Sequence, residues 1–311
     1  MPGPSVWRSA TLVSAAVLLV VLSQVEWAGL APLLRQLDWA LLASAVCLLV
    51  LEALASSIRI WWLSDRRLRP GVAIAVNAWY MLYLIILPAR LGEIAAIGLL
   101  QQKLGQTAGA ATGSIVFQRM FDLLVLATGV LVVTVMVATV QDWLVIAFGV
   151  LLLTLMLARL SALLTLCGRC LQRWSGVGGI RQKLLRLVLQ AKSWSRRYQR
   201  RGTLGLLLAL TLVKWLASLV GLALILRSVG IGLEPEVLLA LAILYVFLSI
   251  VPLQGLAGVG VSDVGLLALL VSLGIDSGAA AAATLFCRLV LILFTIGYAG
   301  LVLLPGGIAR G

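Results

Sequence analysis

"LPARLGEIAAIGLL", residues 87–100, lies between two apolar runs yet holds a proline, two glycines, an arginine and a glutamate. An uninterrupted spanning helix has no use for them. Proline removes a backbone hydrogen bond and clashes with the preceding turn, and a charge at the centre of a bilayer costs about 2.5–3.5 kcal/mol on insertion scales. The apolar residues 76–87 before the break number twelve and rise about 18 Å as a helix, short of the roughly 30 Å of a hydrocarbon core. The stretch is therefore either a broken crossing or the tip of a hairpin that enters the membrane and turns back.

The rest of the chain establishes that a membrane is the setting. Of its 311 residues 62% are hydrophobic and only 11% charged, and runs long enough to span recur throughout. The reading is an all-α polytopic membrane protein, a single transmembrane domain over 1–311 with no soluble catalytic domain. Candidate spans are 10–25, 40–63, 76–103 with its interruption, 107–140, 143–167, 203–226, 237–275 with a second interruption, and 279–304. The run at 10–25 is expected to be a retained span rather than a signal peptide, since only Arg8 supplies a basic flank. Residues 107–140 exceed one untilted span, which predicts a break or strong tilt near Arg119.

Sidedness decides between the two readings of 76–103. The loop at 168–201 carries ten Lys or Arg and no acid, and "SDRRLRP" (64–70) is also basic, so both are expected on the cytoplasmic side. Residues 26–38, 141–142 and 226–236 hold few basic residues and most of the loop acids. These assignments agree only if 76–103 turns back at Pro88 and Gly92 as a hairpin from the cytoplasm, and 237–275 turns back near Pro252, Gly258 and Gly260 as a hairpin from outside. The expectation is six full spans, two oppositely oriented re-entrant helical hairpins and both termini in the cytoplasm, in a bacterial-type inner membrane. Trp27, Trp39, Trp61, Trp62 and Trp143 fall near span ends, where interfacial anchors belong. The 168–202 loop places Ile180, Leu184, Leu187 and Val188 at helical spacing among cations, which fits either a helix lying on the leaflet or a solvated topogenic loop. The formal charge of +13 is concentrated there, so it points to anionic headgroups and not to nucleic acid.

The chain also repeats itself. At an offset of 169 residues, Leu104, Gly105, Gly109, Ala110, Ala111, Phe117 and Arg119 meet identical residues at Leu273, Gly274, Gly278, Ala279, Ala280, Phe286 and Arg288. Upstream, Pro88 and Glu93 correspond to Pro252 and Asp263. The units, about 40–140 and 203–304, are each a span, a proline-broken hairpin with an acid, and a helix with an interior arginine. By the charge rule they run in opposite directions, the pattern of an inverted-repeat transporter whose site lies where broken helices meet.

Candidate binding residues are the interior charges Arg90, Glu93, Arg119, Asp122, Asp263 and Arg288, with the polar Asn77, Gln118 and Gln254 and, more weakly, Ser262. Two roles are open. Glu93 with Arg119 and Asp263 with Arg288 form structural ion pairs, or the arginines hold a phosphate or other anionic headgroup, for which the planar guanidinium fork is suited, while the acids neutralise them in its absence.

Chemistry of other kinds is poorly served. With no histidine, Ser-His triads, Cys-His dyads and H-E-x-x-H zinc sites are impossible. "CGRC" (167–170) stands alone at a membrane boundary, and "GGIRQK" (178–183) lacks the spacing of a nucleotide-binding loop. No catalytic residue, metal or cofactor is expected.

"PARLGEIAAIGLLQQKLG…FQRMFDLL" and "VPLQGLAGVGVSDVGLLALLVSLGI…FCRLV" resemble the flippase-like membrane family related to the transmembrane region of lysylphosphatidylglycerol synthases, a likeness that runs from about residue 10 to 304. The resemblance implies a domain that moves a lipid or lipid-linked headgroup between leaflets, with motif positions at Pro88, Arg90, Gly92, Glu93, Arg119, Asp122, Pro252, Gly258, Gly260, Asp263 and Arg288. The chain departs from the family pattern at Gln118, where a glutamate commonly precedes the first arginine, and at Asp263, where the acid is commonly glutamate. The synthases' soluble aminoacyl-transferase domain has no counterpart here, so no synthesis of aminoacylated lipid is expected. The function expected is a flippase for an anionic phospholipid or a polyprenyl-phosphate-linked sugar. The alternative is a non-transporting membrane partner of a glycosyltransferase or lipid-modifying enzyme.

Overall fold

The computed structural model describes residues 37–64, 69–87, 91–104, 107–137, 203–250 and 260–303, with scattered positions between 165 and 192. The expected spans at 10–25 and 143–167, the tips at Pro88, Arg90, Pro252, Gln254 and Gly258, the anchors Trp27 and Trp143, and most of the basic loop lie wholly or mainly outside the described residues. Eight helices are described, α1 (Trp39–Leu63), α2 (Pro70–Ile86), α3 (Leu91–Leu104), α4 (Ala108–Val137), α5 (Leu204–Ser228), α6 (Pro235–Ile250), α7 (Val261–Ser272) and α8 (Ser277–Leu303). The molecule is a multi-pass α-helical membrane protein. Segments of α1, α4, α5 and α8 are long and apolar enough to cross a membrane.

Each helix starts and stops for a local reason. The Asp38 side chain caps α1, accepting from the N–H groups of Ala40 and Leu41 at 2.9 and 3.1 Å. Pro70 and Pro235 open α2 and α6, where a missing N–H costs nothing. Gly230 and Gly274 end α5 and α7 with φ of +82° and +84°, a left-handed turn that lets the next residue's N–H bond back, Ile231 to the Leu226 carbonyl and Ile275 to the Leu270 carbonyl.

The order long, short, short, long occurs twice. An offset of 165 carries Trp39 to Leu204 and Pro70 to Pro235, and an offset of 169 carries Ala108 to Ser277. The first long helices of the two sets, α1 and α5, pack along each other in opposite directions. The Asp38 N–H at the start of α1 donates to the Ser228 carbonyl at the end of α5 at 2.9 Å, while Gly221 faces the Ala45 backbone one to two turns further in. Lipid offers helices no hydrophobic drive to associate, so close backbone approach over small residues must do it. Ala45 and Ala53 of α1, Gly221 of α5 and Ala280 to Ala283 of α8 are buried for that purpose. Leu51, Leu54, Leu216, Leu293 and Leu301 face outward, as lipid-facing side chains do, and Trp39 stands exposed at the head of α1.

Two expectations change. The first short arm begins at Pro70 rather than near residue 76, because proline at the first helical position and the apolar residues after it extend the helix back, giving 17 residues and a rise of about 25 Å. The second concerns the break or strong tilt expected near Arg119, of which the break does not occur. Instead α4 runs unbroken through it for 30 residues, because the charge is met by side chains of neighbouring helices rather than by unwinding.

α3 returns antiparallel to α2. Gly92 lies against the Tyr83 backbone near the tip, and Val76 and Leu99 share one cluster further down. A Cβ on Gly92 would stand 2.6 Å from the Tyr83 carbonyl oxygen, a clash with backbone that no rotamer relieves. Gly92→Ala should therefore destabilise the folded protein by about 1–3 kcal/mol, whereas Gly98→Ala, with nothing within 4 Å of its added Cβ, should be neutral or slightly stabilising. Thermal unfolding in detergent of the two variants side by side checks this.

Candidate functional site

The interior charges gather where the two sets of helices meet. In the first set, Glu93 is the third residue of α3 and Arg119 the twelfth of α4, and Arg119 Nη2 lies 2.8 Å from Glu93 Oε1. The same guanidinium donates to the Tyr80 hydroxyl, from the eleventh position of α2. In the second set, Asp263 is the third residue of α7 and Arg288 the twelfth of α8. Arg288 donates from Nε and Nη2 to Asp263 at 2.7–2.9 Å, a forked pair, and from Nη2 to the Ser262 hydroxyl at 3.3 Å. Tyr245, the eleventh residue of α6, sets its ring 6.0 Å from that guanidinium, the same distance that separates Arg119 from the Tyr80 ring. An acid, a tyrosine and an arginine thus occupy equal helix positions in both sets.

The two triads differ in access. Arg119 and Glu93 keep 26% and 23% of their side-chain surface exposed, against 14% and 4% for Arg288 and Asp263. The first pair is the easier one for a ligand to enter. Asp263 is further tied by accepting from the Gly260 N–H at 2.9 Å at the start of α7, where a negative charge also suits the helix dipole.

Both arginines and both tyrosines line one cavity, with Lys214, Glu52, Ser56 and an apolar wall that includes Leu84, Leu291 and Phe294. It leaves about 280 Å³ open to the centres of water molecules. A smaller space of about 50 Å³ adjoins it, shares Asn77, Tyr80, Arg119 and Lys214, and reaches Gln118, Arg59 and Asp122.

Asp122 is the hub of that smaller space. Its carboxylate lies 2.8 Å from Arg59 Nη1, 3.4 Å from Arg119 Nη1 and 3.4 Å from Lys214 Nζ, and accepts from the Trp215 indole N–H at 3.0 Å. Three helices are drawn together by one buried acid, since Arg59 comes from α1, Arg119 from α4 itself, and Lys214 and Trp215 from one turn of α5.

The expected pairs Glu93–Arg119 and Asp263–Arg288 both form. Asn77 and Gln118 reach the cavities, but the Asn77 amide donates to the Ala53 carbonyl at 3.0 Å and so also ties α2 to α1, and the Gln118 carbonyl accepts from Arg59 at 3.1 Å. Arg59, Lys214, Glu52 and the tyrosines went unread in the sequence. The tyrosines had a signal: the offset that relates Pro70 to Pro235 also relates Tyr80 to Tyr245. Arg59, Glu52 and Lys214 had none in the repeat, since their counterparts are Leu224, Ala217 and Leu49.

A bundle of apolar helices that encloses paired charges around a shared cavity defines a polytopic membrane protein with a polar interior site. Residues 8–300 match the family described as the lysylphosphatidylglycerol synthase TM region, and the chain belongs to that family. No similar curated protein and no similar solved structure was found.

Replacing Asp122 leaves Arg59, Lys214 and part of Arg119 without their carboxylate in a low-dielectric interior. Asp122→Asn should cost about 3–5 kcal/mol, the penalty for stranding a buried charge, and more than Glu93→Gln at the more exposed pair. Thermal unfolding and monodispersity of the two variants in one detergent rank them.

Proposed function

We propose that the chain is a lipid flippase that binds the anionic headgroup of a phospholipid, or of a polyprenyl-phosphate-linked sugar, in the central cavity and passes it between leaflets. One observation carries this reading: guanidinium groups from both halves of the chain, Arg119 and Arg288, open into the same cavity beside an apolar wall. A phosphate takes paired hydrogen bonds from such forks, and Leu84, Leu291 and Phe294 offer surface for the chain. In this reading α1–α4 and α5–α8 are inverted repeats and α2–α3 and α6–α7 are re-entrant hairpins. The opposed directions of α1 and α5 and the matched triads support that arrangement. The site residues are then Arg119, Arg288, Glu93 and Asp263, with Asp122 and Lys214 behind them and Arg90 at the first tip. The activity is transport without bond making, in an inner membrane with both termini cytoplasmic.

A second reading, a membrane partner that holds a glycosyltransferase or lipid-modifying enzyme, draws on the fact that Arg119 and Arg288 are each paired with a carboxylate of the chain itself. Lipid co-purification read by mass spectrometry separates the two. Under the flippase reading one anionic lipid class is enriched with the wild type and lost from folded Arg119→Ala and Arg288→Ala. An unchanged lipid profile makes the charges clamps and favours the partner reading.

A further inference from the structure

Among the described residues, the charged side chains that line the larger cavity are three cations, Arg119, Lys214 and Arg288, and one acid, Glu52. Glu52 lies midway along α1 and lines the cavity together with Lys214 and Ser218 of the antiparallel α5. Its charged surroundings come from every helix around the cavity. Lys214 of α5 shares the cavity wall with it, and Asp122 of α4 lies 3.4 Å from that amine. Arg119 of α4, Tyr80 of α2, Tyr245 of α6 and Arg288 of α8 share the cavity wall, Glu93 of α3 and Asp263 of α7 stand behind the two arginines, and Arg59 lies two turns along α1 beside Asp122.

The described interior charges balance: Arg59, Arg119, Lys214 and Arg288 against Glu52, Glu93, Asp122 and Asp263. An anionic headgroup that enters the cavity brings a second negative charge near Glu52 where the dielectric is low, and protonating a carboxyl there relieves the repulsion. Glu93, Asp122 and Asp263 are each held by a guanidinium within 2.8 Å or less, so protonating them breaks a buried pair. Among the described residues no guanidinium fork holds Glu52, which lines the open cavity. Its counterpart in the other half is Ala217, and Lys214's is Leu49, so the device occurs once, near the middle of the α1–α5 pair, where both hairpins reach the same space.

We infer that Glu52 takes up a proton as an anionic headgroup binds, so that lipid binding and proton binding are coupled through this residue. The inference rests on the headgroup reading above. The direction follows from charge: protonated Glu52 favours the anion, so affinity holds at low pH and falls as pH rises through the ionisation of Glu52, approaching roughly tenfold per pH unit for one linked proton.

The test is isothermal calorimetry of dihexanoyl-phosphatidylglycerol binding to the detergent-solubilised full chain between pH 5 and 8.5, on wild type and Glu52→Gln. The wild type should weaken with pH and the variant should bind at the wild type's low-pH affinity throughout. Should the variant not fold, wild-type titrations in two buffers of different ionisation heat count the protons directly, with about one per lipid expected where the affinity falls. Binding that does not vary with pH in the wild type and takes up no proton overturns the coupling and leaves the headgroup reading standing. A variant that keeps the wild-type slope also overturns it. No binding at any pH removes the headgroup reading and the coupling with it.

Discussion

A guanidinium inside a hydrocarbon layer must have a carboxylate or a ligand within reach, and two such pairs govern this structure. Arg119 with Glu93 and Arg288 with Asp263 each join a long helix to the third residue of a short one. For an acid to sit in the first turn of a helix deep in the protein, the chain must begin a helix there. The breaks before α3 and α7 follow from that requirement. So does the close seat of Gly92 on the Tyr83 backbone, which brings α3 back along α2 so that Glu93 meets α4.

On this paired frame the two halves diverge. The first half holds Glu52, Arg59 and Asp122, and α5 adds Lys214, while the corresponding positions Ala217, Leu224, Leu291 and Leu49 are apolar. Asp122 gathers three cations from three helices and receives the Trp215 indole as well. Buried polar clusters of this kind are stable only when every member is satisfied, so each partner constrains the others. Two of those counterparts, Leu49 and Leu291, line the cavity among the charges. A repeat of near-equal helices thereby encloses a space that is both charged and apolar.

How much of this was legible depended on which residues are rare in apolar sequence. Arginine and acid inside membrane runs are costly, so Glu93, Arg119, Asp263 and Arg288 stood out, and their spacing of 26 and 25 residues foretold the pairs that form. Tyr80 and Tyr245 escaped because a tyrosine is unremarkable in a hydrophobic helix, and only the alignment of helix starts exposes them. Arg59 and Lys214 escaped because they belong to one half only. The expected break at Arg119 failed for a related reason. Helix length and one charge were weighed without the neighbours that meet it, and Glu93, Tyr80 and Asp122 together let α4 pass through unbroken.

The unequal closure of the two pairs is the last step. Equivalent triads built from equivalent helix positions ought to be equally tight, yet Asp263 is nearly sealed between the Arg288 fork and the Gly260 N–H, while Glu93 and Arg119 stay partly open to the cavity. The third partner of Arg119 accounts for much of this. Asp122 draws one of its nitrogens away from Glu93, whereas Arg288 turns both Nε and Nη2 onto Asp263 and gives Ser262 only a longer 3.3 Å bond. In a protein proposed to pass a headgroup between leaflets, a ligand drives a change of state only through contacts that differ between the states. A repeat with one loosened triad and one closed triad already contains that difference, and Asp122, an acid whose counterpart is Leu291, supplies it.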